Sequence, residues 1–151
     1  MTDIGFYHLL VSPLERALPR LLEKMLEAGG RAVILAGSEE RVKFLNAHLW
    51  TYDPKSFLPH GAAEDGEAAR QPIYLTTEDE NPNTASVLFL LDGMNSDRLA
   101  TYARCLDLFD GRDEAAVVAA RERWRAATAA GHGLTYWRQT EGGGWEKQAS
   151  A

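Results

Sequence analysis

The order of apolar and polar positions along the chain predicts alternating strands and helices. Ile4 to Leu9 (IGFYHL) is a short apolar and aromatic run, which predicts an opening strand. Leu14, Leu18, Leu21, Leu22, Met25 and Leu26 then recur at three- and four-residue steps, an amphipathic helix with Ser12 as N-cap, Pro13 in its first turn and Gly29-Gly30 as its stop. The continuous run from Arg31 to Ala36 predicts a strand buried on both faces. Ser38 caps a second helix whose buried stripe is Val42, Leu45 and Leu49. Further strands are expected over Pro72 to Leu75 and Ser86 to Leu91. Thr101 to Phe109 alternates as a strand, with a short helix as the alternative. Arg112 to Ala130 is helical by its alanines, and Leu134 to Arg138 predicts a last strand.

Strand, helix, strand, helix at this spacing implies right-handed βαβ units. The expected fold is one α/β domain with a mostly parallel sheet flanked by helices, Rossmann-like or P-loop-like, over residues 1–140. Residues 141–151, beginning at Gly142-Gly-Gly144, are expected to form a frayed tail.

Such an architecture invites a nucleotide, but the loop after the first strand, Leu10-Val-Ser-Pro-Leu-Glu15, has no glycine and no Lys-Ser/Thr pair to cradle a phosphate. The loop after the second strand, Gly37-Ser-Glu-Glu40, carries two carboxylates that repel one. His8, His48, His60 and His132 include no i, i+4 pair, and no nucleophile sits in a G-x-S-x-G elbow. An enzyme working on a nucleotide or phosphoester with His60 and Asp92 is the alternative, though Asp92-Gly93 is also ordinary turn chemistry. No cofactor or metal is expected. The single cysteine, Cys105, fits a small buried residue in a reducing cytoplasm, and no apolar run reaches 18 residues, so a soluble cytoplasmic protein is expected.

Charge changes the picture at one end. The chain has 16 Lys and Arg against 22 Asp and Glu, a net of −6 over 151 residues. Residues 1–120 carry 11 against 19, a net of −8, whereas residues 121–151 carry 5 against 3, a net of +2. An acidic body argues against a broad nucleic-acid footprint. The basic end therefore suits a small acidic partner. On the last helix Arg121 and Arg125 are one turn apart with Trp124 beside them and Val117 and Thr128 extending the strip, while Arg123 points elsewhere, paired with Glu122 or free in water. The returning strand brings Arg138, and either Tyr136 or Trp137, near the same patch. Arginine forks and an aromatic wall suit a peptide with carboxylates beside an apolar anchor. A second constellation, Trp50 with Phe57, Leu58, Pro59 and His60, suits a docking surface or a loop anchor.

These segments together resemble the chi subunit family of bacterial DNA polymerase III holoenzyme: FYHL, GGRAVILAGSEERVKFLNAHLW, SFLPH and RERWRAA followed by a glycine turn. The resemblance implies a non-catalytic adaptor that links the clamp loader to single-stranded-DNA-binding protein by holding the latter's acidic C-terminal tail, and so associates indirectly with single-stranded DNA. Arg121, Glu122, Arg123, Trp124 and Arg125 match the tail-binding helix, with Val117 standing where the family carries a lysine. Trp50, Phe57, Leu58, Pro59 and His60 match the face for the psi subunit, whose place a helicase or the clamp loader itself can take. No membrane partner is implied.

Overall fold

A computed structural model describes residues 2–53 and 58–151. Eight strands form a single sheet in the order β3-β4-β2-β5-β6-β1-β7-β8. The strands are β1 (Asp3–Leu9), β2 (Ala32–Leu35), β3 (Gly61–Ala62), β4 (Ile73–Thr76), β5 (Val87–Leu90), β6 (Arg104–Asp110), β7 (Gly133–Gln139) and β8 (Trp145–Ser150). All neighbours are parallel except β7 and β8. Helices α1 (Leu14–Glu27) and α2 (Glu39–Thr51) cover one face and α3 (Glu114–Ala129) the other. The mostly parallel α/β fold expected from the chain is the one observed.

Each face has its own apolar layer. Leu18 and Leu22 of α1 and Leu45 and Leu49 of α2 pack on Ile34, Ile73 and Phe89. Ala120 and Ala127 of α3 pack with Phe6, Leu90, Phe109 and Leu134 on the other side. β2 and β5 are buried at every position, which is why their sequences are unbroken apolar runs.

Helix α1 shows how a local defect is repaired. Pro19 lies inside it and has no N–H to give the Glu15 carbonyl one turn back. His48 Nε2 of α2 donates to that carbonyl instead, at 2.7 Å. The histidine thus ties the two helices together. The N-cap is Pro13 rather than Ser12, because Ser12 is held by another element. Gln139 at the end of β7 donates to the Ser12 hydroxyl at 2.7 Å, and its carbonyl accepts from the backbone N–H groups of Leu10, Val11 and Ser12.

Of the two readings left open for Thr101 to Phe109, the strand is the one formed, as β6 from Arg104, with Thr101 closing a short 3-10 turn. One element differs from the sequence expectations. The stretch after Gly144, expected to be frayed, is strand β8, paired antiparallel to β7 with Gln139 opposite Trp145. Its hydrogen bonds come from the backbone, and Trp145 packs edge-on against Tyr7 at 5.0 Å.

Candidate functional site

Helix α3 begins at an Asp113 cap, whose carboxylate accepts from the N–H groups of Ala115 and Ala116. Its rotation is fixed by Arg123. That guanidinium reaches down to the sheet and forks onto Asp107 of β6, at 2.6 and 3.0 Å, in a nearly dry pair. The expectation that Arg123 is solvated or paired with Glu122 is corrected here. A carboxylate in the middle of an apolar strand demands a buried counter-charge, and Arg123 is the arginine in phase with the sheet. Burial pushes the Asp107 carboxyl above its ordinary value, against the pull of the Arg123 fork.

With Arg123 turned inward, its neighbours are distributed around the outer flanks. Trp124 is half-buried, with its ring edge-to-face to Phe6 at 5.4 Å and to Tyr136 at 5.9 Å. Val117 is half-buried against the same layer. Arg121 is exposed, and among the described residues it is in no ion pair. Arg125 is exposed but already held by Glu122 at 2.7 Å. The Thr128 hydroxyl donates to the Trp124 carbonyl.

The rest of the patch comes from β1 and β7, which pair in parallel with Phe6 opposite Tyr136 and His8 opposite Arg138. Side chains alternate between sheet faces. Tyr136 and Arg138 therefore lie on the α3 side, while Trp137 lies on the other and stacks on Tyr7. Of the two aromatics left open by the sequence, Tyr136 is the one in the patch. Its hydroxyl is 2.6 Å from His8 Nδ1. The opposite edge of that imidazole packs on Gly111, whose backbone is its second hydrogen-bond partner. Burial, and then Arg138 and Arg121, hold His8 below its ordinary pKa. Burial raises the Tyr136 hydroxyl, and the same two arginines oppose the rise. Both cations thus act on one His8–Tyr136 pair. Sequence spacing gave no reason to join His8 to this group, since the register of β1 on β7 does so.

In the second constellation the residues divide by depth. Trp50 is 53% exposed and lies on the His60 ring, with centroids 4.3 Å apart. Leu58 and His60 are buried and Pro59 is half-buried, while Phe57 lies outside the described residues. Both His60 nitrogens face carbonyl oxygens, those of Leu58 and Asn46. Asp92 is engaged elsewhere, accepting from the Gly37 N–H and from Arg41, so the pairing of His60 with Asp92 is not formed.

The helices after the adjacent strands β1 and β6 leave for opposite faces, and a cavity of about 540 Å³ opens at that point. Related folds hold phosphates in such crevices. Here the rim carries Glu15, Asp92, Asp110 and Asp113, with Arg41 and Arg112 bound to three of these carboxylates. It is no phosphate cradle. Among the described residues no three side chains are grouped to hold a metal ion, and no helix is long and apolar enough to cross a membrane. Cys105 is fully buried, which pushes its thiol well above the usual range.

Residues 1–135 match the family model described as DNA polymerase III chi subunit, HolC. A curated relative, the probable DNA polymerase III subunit chi of Rickettsia prowazekii (strain Madrid E), is 41% identical over 91 residues. That alignment covers 60% of this chain and 55% of the relative, so the chain is matched over about half the relative's length.

Proposed function

Since the chain belongs to the DNA polymerase III chi subunit family, we propose that it is a non-catalytic adaptor of the replicase. It holds the acidic C-terminal tail of single-stranded-DNA-binding protein and so brings the clamp loader to coated single strands in the cytoplasm. What supports this is that the charges of Arg121 from α3 and Arg138 from β7 both act on the Tyr136–His8 pair, beside the half-buried Trp124. The tail's carboxylates lie against these two exposed guanidinium groups, which are in no ion pair among the described residues, and its terminal aromatic ring lies along Trp124 and Val117. Arg125 contributes less, because it must leave Glu122 to engage a ligand. Exposed Trp50, supported from beneath by His60, anchors a second contact with psi or another clamp-loader component.

Each charge-assisted hydrogen bond of this kind contributes about 1.5–3 kcal/mol, and exposed ones weaken with salt. A fluorescent acidic peptide ending in phenylalanine should therefore bind with an affinity that falls as salt rises. Arg121→Ala should weaken it roughly tenfold or more, Arg138→Ala comparably and Arg125→Ala least. Unchanged anisotropy titrations for Arg121→Ala and Arg138→Ala together would remove the site from consideration.

A further inference from the structure

A second basic strip lies on the opposite side of the sheet. Arg16, Arg20 and Lys24 repeat every four residues along α1 and are all exposed. Four helical residues advance about 6 Å, so the three cations form a slanting row that rises about 12 Å along the helix axis. Among the described residues none of the three is in an ion pair. Of the carboxylates nearby, Glu15 is engaged with Arg41 and Glu23 with the Tyr52 hydroxyl, while Glu27 lies one turn beyond Lys24 and Asp53 lines a neighbouring hollow with Arg16 and Arg20. The row forms one wall of a groove of about 550 Å³, whose other wall is the turn between β7 and β8 and whose floor is Val11, Ala17, Leu21 and Trp145. Glu141 is the lone carboxylate in the lining.

Three exposed cations beside an apolar floor, in no ion pair among the described residues, stand out on a chain of net charge −6. The geometry points to a docking groove for an extended peptide segment in which acidic residues alternate with apolar ones. Side chains on one face of an extended chain recur about every 6.6 Å, close to the 6 Å step of the cations. The carboxylates thus meet Arg16, Arg20 and Lys24 in turn, while the intervening apolar side chains point the other way, toward the β7–β8 turn and Trp145. A nucleic-acid strand fits less well. The row has only three charges, and a polyanion continuing past it would run along an acidic body. The groove lies on the α1 face, whereas Arg121, Trp124 and Arg138 lie on the α3 face, so two anionic segments can be held at once.

The test is fluorescence anisotropy of the full chain with a labelled eight-residue peptide alternating glutamate and leucine. Binding is expected that falls with added salt, that drops roughly tenfold or more in Arg16→Gln with Arg20→Gln, and that is unaffected by Arg121→Ala. The phenylalanine-ended acidic peptide should show the reverse dependence, so failure of either site is read separately. Circular dichroism and melting of the double variant should match wild type, since both side chains are exposed. Absence of binding, equal binding by the double variant, or loss of binding on Arg121→Ala would overturn the proposal. Displacement of the peptide by a short oligothymidylate with a comparable affinity would overturn it in favour of a nucleic-acid path.

Discussion

Asp107→Ala should lower the unfolding free energy by about 3–5 kcal/mol, the range for stripping one partner from a buried ion pair. Asp107 is 2% exposed, and the Arg123 guanidinium that forks onto it is itself largely buried. Removing Asp107 leaves a positive charge under α3. Removing both charges together, as Asp107→Leu with Arg123→Met, should recover most of the loss, because well-packed apolar groups often replace a buried pair at little cost. Urea unfolding measures both, and a penalty under about 1 kcal/mol for Asp107→Ala would mean that water reaches the pair. The consequence extends to the candidate site. Arg123 sets the rotation of α3, and that rotation holds Arg121 and Trp124 outward.

The same pair shows where the sequence was legible and where it was not. RERWR offers three arginines within one helical turn and a half, and helix periodicity alone does not say which one faces the sheet. The clue lay elsewhere, in RCLDLFD, where a carboxylate interrupts an apolar strand and requires a buried partner. β2 and β5 were legible because burial on both faces leaves an unbroken apolar run. β8 was not, because WEKQAS lies at the sheet edge, mostly exposed, and is held by backbone pairing that leaves no apolar period. β3 has only two residues, too few for any pattern. At the candidate site Arg121, Trp124 and Arg138 followed from spacing. The choice of Tyr136 over Trp137, and the inclusion of His8, required knowing that β7 lies beside β1 and in which phase. A single strand's alternation gives two faces but not which of them meets α3.

Gly111→Ala should be the most damaging small substitution near that site. A methyl group there would stand about 2.0 Å from the His8 ring and 2.6 Å from the Leu9 carbonyl oxygen. The ring can swing away, but the carbonyl cannot, since it accepts the hydrogen bond from the Gly111 N–H at 2.7 Å. Overpacking of this kind costs about 1–3 kcal/mol, and the backbone clash places this case toward the upper end. Swinging the imidazole out also breaks its 2.6 Å contact with Tyr136, whose hydroxyl feels the charges of both Arg121 and Arg138. Two coupled results are expected. In unfolding, Gly111→Ala and His8→Ala should be less than additive, because without the ring part of the clash is gone. In titrations with the phenylalanine-ended peptide, each variant should weaken binding and the pair should weaken it no further, because both act by releasing Tyr136. Additive losses in affinity would instead mean that His8 and Gly111 reach the ligand by separate routes, and unchanged affinity in both would detach the His8–Tyr136 pair from the binding surface.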